Sequence, residues 1–408
     1  MQRSQHFVGL EIGTSKICVI QGEVRPDDGI KLLGIGQAAS RGVRKGEVID
    51  FEIARSSLTQ AVEMAEKQSG ETIKEVYLAI TGSHIESGNY EATVAIPPVQ
   101  KAVVAEDLDD LKDMARDIQL PSSRAFIHSI VRNYITEGGS KVSNPLGIEA
   151  KELTAHYHLI HGVRSRIQGA VRCVRDIPVE VEDIVFAPLA SAQVLLTRQN
   201  KDEGALLIDL GGGTTDYVLY REGALVASGS LGVGGDHVTN DIHQVLQVPL
   251  QIAERLKTRQ GSVYYDSRNV GQMISIEQEG NYPGGDVDQT MLNQVIHLRI
   301  RETFELLKRE LVDSGIFEPA AVGAGVYLTG GGALLNGVQD LAKAVFGIPV
   351  ANTAGSTMSG NRTSAENPQY ATAIGLIRYA QLIQQLPAQK GPLSNFGSRL
   401  GGWLGKAS

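Results

Sequence analysis

The sequence predicts an α/β protein made of two similar sheet-and-helix domains around a central cleft. One pattern occurs twice, at residues 7–20 and 205–219. It consists of an apolar run that ends in an acidic residue, a glycine-containing turn and a second apolar run. The same β-β-β-α-β order follows in both halves, whereas residues 84–162 have no counterpart in the second half. Because one supersecondary unit repeats, we expect a duplicated domain, with the unmatched segment as an inserted α+β subdomain.

The duplicated turn predicts a ligand site. Each apolar–turn–apolar pattern is typical of a β-hairpin. Glycines let the backbone approach a ligand, and clustered N–H groups with hydroxyls hold phosphate oxygens. Two such hairpins facing each other would clamp a phosphate chain, with Glu11 and Asp209 holding a metal ion between them, so we expect a nucleotide cleft. The candidate binding residues in the turns are Gly13, Thr14, Ser15, Lys16, Gly211, Gly212, Gly213, Thr214 and Thr215.

The first half of the chain begins with predicted strands. Residues 7–39 read as three strands, and apolar positions near helical spacing predict a helix over 51–69 that ends at Gly70. A fourth strand follows at 75–81. The inserted segment contains strand-like pieces at 90–96 and 153–160 around a helix at 105–118.

The second half repeats the order of the first. A third strand at 225–232 follows the hairpin, and a helix follows at 236–246. Residues 240–316 read as a second elaboration, with two helices around an irregular, partly stranded stretch. Residues 326–336 predict a strand, a glycine turn and the start of a helix, and a last helix is expected at 367–385.

That late glycine turn is the third candidate element of the cleft. Gly330, Gly331, Gly332 and Ala333 follow a strand, so their backbone can pack flat against a nucleoside or phosphate. Each turn alone is weak support, because a tight hairpin needs the same glycines. Together, and each after a strand, the three favour a nucleotide site. The P-loop pattern is absent, and no G-x-G-x-x-G opens a helix, which disfavours P-loop nucleotidases and dinucleotide enzymes.

Bulk composition narrows the class further. A chain of 408 residues with 42% hydrophobic content buries a large core, and a net charge of −8 argues against nucleic acid as a partner. Cys18 and Cys173 lie in apolar segments, which predicts reduced, buried thiols. No signal peptide is visible, and no apolar run approaches the ~20 residues that cross a bilayer. We therefore expect a cytoplasmic protein that does not span a membrane.

These motifs resemble those of the actin superfamily. The resemblance implies that the hairpins are phosphate loops and the late glycine turn is the adenosine loop for ATP. It implies that Asp209 binds the nucleotide's magnesium through water, with Glu11 as a weaker counterpart. Glu254 and Lys257 resemble the superfamily's A-E-x-x-K element beside adenosine, although an exposed charge pair is the alternative. Two further candidates, Gly234 and Gly235, precede the helix at 236–246.

One position departs from the superfamily pattern. Related proteins begin a helix before the second domain with E-P-x-A-A-A, whose polar first residue positions the attacking water. Here residues 187–192 read A-P-L-A-S-A, with Ala187 in that place. A methyl group cannot orient water or accept its proton. We therefore expect firm ATP binding with slow or negligible hydrolysis, and no confident catalytic residue.

Within the superfamily, the chain is most similar to the FtsA family of bacterial cell-division proteins. The residues that carry this resemblance lie at 8–16, 40–46, 144–147, 208–216 and 328–333, together with the inserted segment and the tail. It implies a filament-forming adaptor on the cytoplasmic face of the inner membrane at the division septum. It also implies that the protein binds the C-terminal peptide of FtsZ through a helix carrying Arg299 and Arg301, and later division proteins through the inserted subdomain. A solvated arginine is the alternative for Arg299.

The C-terminal tail predicts a membrane anchor. No Asp or Glu follows Glu366. At ~100° per helical residue the large apolar tail residues form one stripe, which is typical of an amphipathic interfacial helix. Its four glycines weaken the helix by about 3–4 kcal/mol, so one tail should bind weakly and a polymer tightly. The candidate membrane residues are Leu393, Phe396, Arg399, Leu400, Trp403, Leu404 and Lys406. A tail helix docked on the protein's own core is the alternative.

Domain boundaries and rival functions complete these expectations. The first domain is predicted over 1–83, 163–195 and 345–386, the inserted subdomain over 84–162, the second domain over 196–240 and 317–344, a second small subdomain over 241–316, a linker over 387–392 and the membrane helix over 393–406. The rival functions are an ATP-dependent, sugar-kinase-like enzyme and a pilus-assembly actin homologue of the same fold.

Overall fold

The computed structural model describes residues 5–25, 29–264, 271–351, 358–359 and 367–385. The predicted linker and membrane helix lie outside these ranges, so their predictions stay predictions. Among the helices of the described ranges, none combines the length and apolarity that crossing a bilayer requires.

The strands and helices follow the order expected for a duplicated α/β protein. The strands are β1 (Gln5–Ile12), β2 (Lys16–Val24), β3 (Ile30–Ala39), β4 (Val43–Arg44), β5 (Glu47–Val48), β6 (Glu75–Ile80), β7 (Glu86–Ala95), β8 (Arg124–Thr136), β9 (Lys141–Val142), β10 (Glu152–Val163), β11 (Glu180–Phe186), β12 (Ala205–Leu210), β13 (Thr215–Arg221), β14 (Ala224–Leu231), β15 (Met273–Ile276), β16 (Gly285–Asp288), β17 (Gly325–Thr329), β18 (Val350–Ala351) and β19 (Met358–Ser359). The α-helices are α1 (Phe51–Ser69), α2 (Ala105–Arg116), α3 (Arg164–Arg175), α4 (Ala187–Leu195), α5 (Arg198–Glu203), α6 (Gly235–Leu246), α7 (Leu250–Arg259), α8 (Gln289–Asp313), α9 (Val338–Phe346) and α10 (Ala371–Gln385).

The first domain is built on a six-stranded sheet in the order β11-β6-β1-β2-β3-β19. Helix α1 covers one face, and its predicted bounds are confirmed. The Asp50 side chain caps its N-terminus by accepting a hydrogen bond from the Ile53 N–H at 3.1 Å, and Gly70 ends it in the left-handed conformation. Gly36 in β3 lets α1 lie close, because a Cβ there would overlap the Ala61 carbonyl.

The second domain repeats this architecture in a five-stranded sheet ordered β14-β13-β12-β17-β18. In the first domain β1 pairs antiparallel with β2 and parallel with β6. In the second, β12 pairs antiparallel with β13 and parallel with β17. The duplication predicted from the sequence is therefore confirmed in strand order and direction. One face of the second-domain sheet packs with α6, α7, α8 and α9 in a hydrophobic cluster of its own, and residues of the other face join the core of the first domain.

The inserted segment forms a four-stranded sheet ordered β7-β10-β8-β9, with α2 against it and a small core of its own. Its two predicted strands and its helix are present. Strand β8, the longest in the described chain at 13 residues, was not predicted. The inserted sheet packs against β14 of the second domain, where the Ser87 hydroxyl donates to the Ser228 carbonyl at 2.6 Å and the Asn89 amide to the Val226 carbonyl at 3.0 Å.

The third glycine turn differs from its prediction. A short 3-10 turn spans Gly331–Leu334, and the α-helix begins only at Val338. Gly330 adopts φ 80° and ψ 178°, a conformation that is essentially restricted to glycine. The backbone therefore turns away from the strand before a helix can start.

Candidate functional site

The two hairpins and the third glycine turn meet at a cleft between the two domains. The cleft encloses about 420 Å³, a volume typical of small-ligand sites. Its lining includes the predicted residues Glu11, Gly13, Thr14, Ser15, Lys16, Asp209, Gly211, Gly212, Gly213, Thr214, Thr215, Gly234, Gly235, Glu254, Lys257, Gly330, Gly331 and Gly332. Ala333, which we also expected, is not part of this lining.

The two hairpin turns have the same backbone geometry. The Gly13 N–H donates to the Lys16 carbonyl at 3.0 Å, and the Gly211 N–H donates to the Thr214 carbonyl at 3.0 Å. The turns also face each other closely, because a Cβ on Gly212 would lie 3.1 Å from the Ser15 side chain. Residues of both turns therefore line one narrow space, as a phosphate clamp requires.

The second hairpin concentrates negative charge. Asp209 and Asp216 lie opposite each other in the β12–β13 register, and both are buried. Burial, reinforced by Glu11 and Asp216, raises the pKa of Asp209 to about 8. Burial also raises the pKa of Asp216 to about 6. Two buried carboxyl groups this close disfavour simultaneous ionisation unless a cation joins them.

Hydroxyl groups from three directions hold these carboxylates. The Thr214 hydroxyl donates to Asp216 Oδ2 at 3.2 Å, and the Thr81 hydroxyl donates to the same oxygen. The Thr372 hydroxyl donates to Asp209 Oδ2 at 3.3 Å. Asp216 Oδ1 is buried and forms no hydrogen bond of standard geometry with the described residues, although Ser230 faces Asp216 across β13–β14 and its hydroxyl counteracts the rise in the pKa of this carboxyl. An unsatisfied buried oxygen beside a second carboxylate fits a hydrated divalent cation.

The first hairpin is electrically balanced by contrast. Lys16 Nζ lies 3.2 Å from Glu11 Oε2, donates to the Gln369 carbonyl, and lies 5.5 Å from the centroid of the Tyr370 ring. Although burial opposes charge on Lys16, Glu11 and Asp209 hold its pKa above the usual value. Glu11 is thus already paired, which leaves Asp209 as the stronger candidate for a metal.

Glu254 and Lys257 lie on α7 beside the cleft. Lys257 Nζ lies 2.7 Å from Glu254 Oε2, and donates to the Gly235 carbonyl at 3.0 Å and to the Thr239 hydroxyl at 2.8 Å. Only 11% of the Lys257 side chain is exposed. The alternative of an exposed charge pair is therefore wrong for Lys257, which fixes the turn at Gly235 against the cleft.

Ala187 lies in the cleft wall at the start of α4. It is 4% exposed and is followed by Pro188, a residue favoured in the first turn of a helix. Ala187 therefore contributes a methyl group to the cleft lining.

Eight polar residues of the cleft lining were not among the sequence candidates, namely Gln37, Thr81, Asp216, Asp236, Thr258, Thr303, Gln369 and Thr372. Asp216 was visible as the last acid of the second glycine motif. Thr81 directly follows β6, whose carboxyl end lies beside that of the parallel strand β1, and this position was its available signal. Gln369 and Thr372 reach the cleft only through the packing of α10, which local sequence does not reveal.

Arg299 and Arg301 lie on α8, away from the cleft lining. Arg299 forms a bidentate ion pair with Asp241 of α6, with Nε 2.5 Å from Oδ2 and Nη2 3.1 Å from Oδ1, and its Nη1 lies 2.5 Å from Glu302. Arg301 Nε lies 2.7 Å from Glu305 and borders a groove between α8 and α9. Arg299 is therefore not a solvated arginine, because two carboxylates of the same chain already hold it.

Comparison with known protein families gives two matches. The family described as "Cell division protein FtsA" matches residues 206–375, and the family described as "SHS2 domain inserted in FTSA" matches residues 82–161.

Curated relatives match over nearly the whole chain. The cell division protein FtsA of Neisseria meningitidis is 34% identical over 381 residues, covering 93% of this chain and 91% of that protein. FtsA of Borreliella burgdorferi is 34% identical over 408 residues, covering 98% of each chain. FtsA of Escherichia coli K12 is 30% identical over 412 residues, covering 98% and 97%.

Solved structures resemble the fold at lower identity. A PilM–PilN type IV pilus biogenesis complex matches with a TM-score of 0.62 and 17% identity, covering 91% of this chain and 97% of that chain. MreB5 of Spiroplasma citri bound to ADP matches with a TM-score of 0.51 and 16% identity, covering 93% and 98%. These matches concern the fold alone, and they agree with the predicted actin-like architecture.

Proposed function

The chain belongs to the FtsA family of cell division proteins, and on that premise we propose that it binds ATP, polymerises on the inner membrane and anchors FtsZ filaments at the division septum. The observation that supports nucleotide binding best is the cleft, where two facing glycine turns lie beside a buried carboxylate pair. Asp209 and Asp216 would hold a hydrated magnesium ion, which would neutralise phosphate charge. Isothermal titration of the full chain with ATP, with magnesium or with EDTA, tests this; magnesium-independent affinity would contradict it.

Slow hydrolysis is the second part of the proposal. Ala187 offers no polar group to orient water, so the nucleotide acts mainly as a ligand that sets the domain arrangement. An active sugar-kinase-like enzyme is the alternative from another class. A steady-state ATPase assay separates the two, because rapid turnover stimulated by a sugar would exclude the adaptor function.

Membrane tethering rests on the sequence of the tail. Its acid-free, amphipathic pattern supports weak binding of each copy and tight binding of a polymer that presents many tails. A variant that ends at Gln389 retains every described residue of the fold. We expect this variant to lose co-sedimentation with anionic liposomes, and retained co-sedimentation would contradict the anchor.

Binding of the acidic FtsZ tail is proposed for α8. Arg299 already holds two carboxylates, which supports a geometry suited to bidentate carboxylate recognition. The same pairing means that removing Arg299 also leaves Asp241 without its partner. Asp241→Asn is therefore the sharper variant, because it removes the bidentate partner and leaves Arg299 with Glu302 alone. We expect tighter binding of a fluorescent FtsZ C-terminal peptide to Asp241→Asn and weaker binding to Arg299→Ala and Arg301→Ala.

Self-association and recruitment of later division proteins complete the proposal. Family membership supports both, with the inserted subdomain as the contact surface for later proteins. Liposome co-sedimentation at rising protein concentration, with and without ATP and the FtsZ peptide, tests the self-association. A binding curve without cooperativity under all conditions would contradict a polymer on the membrane.

A further inference from the structure

A second polar cavity lies where the inserted subdomain meets the second domain. It encloses about 450 Å³ and shares no lining residue with the nucleotide cleft. Strands β8 and β9 supply Arg132, Asn133 and Lys141, and the β13–β14 hairpin supplies Arg221 and Glu222. The cavity is therefore lined by charged groups from two different sheets.

Two arginines in this cavity lack counter-charges. Neither the Arg132 nor the Arg221 side chain forms a hydrogen bond or an ion pair with any residue that the structure describes. Both residues are half-buried. Arg132 Nε is fully buried without a partner. A buried guanidinium N–H that bonds to nothing costs free energy, since water no longer solvates it.

The neighbouring charges do not remove this cost. Burial and the charge of Arg221 lower the pKa of Arg132, while Glu91 opposes the shift. Glu91 itself lies 3.5 Å from His156, and Glu222 lies 3.1 Å from Lys141, so these carboxylates face other partners. Glu318 is the remaining acid of the lining. Two like charges thus share one cavity with no carboxylate in contact with either.

We propose that this cavity is a binding site for a small oxyanion, a phosphate or carboxylate group held between the guanidinium groups of Arg132 and Arg221. A guanidinium presents a planar fork of N–H donors that matches the oxygens of both groups. Asn133 extends the donor set, because its Oδ1 is buried without a partner and a 180° turn of the amide presents its NH₂ group instead.

The position of the cavity gives the ligand a structural consequence. Arg132 belongs to β8 of the inserted subdomain and Arg221 ends β13 of the second domain. An oxyanion bound to both would replace a repulsion across this boundary with two attractions. The bound form holds the inserted subdomain more firmly to the second domain than the free form does.

The test uses the full chain saturated with ADP, so that the nucleotide cleft is occupied. Inorganic phosphate and citrate are titrated separately, at ionic strength matched with potassium chloride, and binding is measured by calorimetry and by the shift in Tm. Arg132→Met and Arg221→Met remove the fork and retain the apolar stem. Arg198→Met is the matched control, since the Arg198 side chain is 97% exposed on α5 and does not line the cavity.

We expect one or both anions to bind the wild type and Arg198→Met equally, and at least tenfold more weakly to each cavity variant. Unchanged ADP affinity shows that the variants are folded. If a Met variant does not fold, Arg221→Lys retains the charge without the fork, and we expect several-fold weaker binding. The proposal is wrong if all variants respond as the wild type does, or if neither anion exceeds chloride. The separate titrations show whether phosphate or carboxylate is preferred.

Discussion

The two hairpins of the cleft share a backbone but differ in charge. In the first, Glu11 faces Cys18 across the strand pair, and in the second Asp209 faces Asp216. The first turn ends in Lys16, which neutralises Glu11, whereas the second ends in Thr214, which supplies only a hydroxyl. The two hairpins therefore share the glycine turn, whereas the flanking positions are charge-balanced in the first hairpin and acidic in the second.

This difference in charge predicts different roles for the two hairpins. The balanced hairpin needs no ion, and its lysine also contacts Gln369 and Tyr370, which joins it to the segment before α10. The acidic hairpin places two carboxyl groups in a buried site, an arrangement that a divalent cation stabilises. We therefore expect the metal to bind at the second hairpin. Substitutions at matched positions of the two hairpins test this expectation.

The largest effect should separate Asp209 from Glu11. We expect Asp209→Asn to weaken magnesium-dependent ATP binding about 100-fold, or about 2.8 kcal/mol, because the metal loses its carboxylate. Glu11→Gln should weaken the same magnesium-dependent binding by less than about threefold. Calorimetry with and without EDTA measures both. In the ligand-free protein at pH 7 Asp209→Asn should raise Tm, because burial lifts the pKa of Asp209 to about 8 and folding must hold this carboxyl protonated, a cost that an amide does not carry. Equal losses of affinity in the two variants would refute the difference in roles.

The next effect concerns Ala187, at the start of α4. Ala187→Gln adds a group that can orient water in the cleft, so we expect ATP turnover to rise about tenfold, a modest share of what positioned acid–base groups supply. Ala187→Met has a similar volume and cannot orient water, and its turnover should stay at the wild-type value. A phosphate-release assay measures both. A rise in both variants would attribute the effect to altered packing of the cleft wall.

A smaller effect should distinguish neighbouring glycines of the third turn. A Cβ on Gly330 would overlap Asp209 Oδ1 and the Leu210 carbonyl, and the left-handed backbone adds strain. We expect Gly330→Ala to lower the free energy of unfolding by about 1–3 kcal/mol. A Cβ on Gly331 meets no atom within 4 Å. Gly331→Ala should therefore change the free energy of unfolding by less than about 0.5 kcal/mol. Urea denaturation measures both, and equal losses would contradict the geometry of the turn.

The smallest effect concerns the hydrogen bond between Thr81 of the first domain and Asp216 of the second hairpin. The Thr81 hydroxyl, after β6, donates across the cleft to Asp216, so Thr81→Val should lower the ligand-free unfolding free energy by about 1 kcal/mol. Thr93→Val is the control, because its hydroxyl bonds only to that of Thr154 in an exposed pair within the inserted sheet. Thermal unfolding of both variants decides. A loss in the control as large as in Thr81→Val would show that the bond across the cleft carries no special weight.

The features predicted from the sequence were those set by local pattern. The hairpins, α1 and the duplicated strand order follow from apolar runs, acids and glycines close together in the chain. Thr372 and the buried state of Lys257 depend on how distant helices pack. The ion pair of Arg299 with Asp241 joins residues 58 positions apart, and no local pattern reports such a contact. Strand β8 was missed although it is rich in β-branched and aromatic residues, so that signal was present in the sequence.

The contact between the inserted sheet and β14 limits how the two domains can move. The inserted subdomain is covalently continuous with the first domain, and His158 bonds at 2.7 Å to Asn89 and at 2.8 Å to Ser228 of β14. The domains are thus joined at the chain crossings, at these hydrogen bonds to β14, and through a hydrophobic cluster that α4 shares with β12 and β13. Any opening of the cleft must therefore either carry the inserted subdomain with the second domain or break its hydrogen bonds to β14.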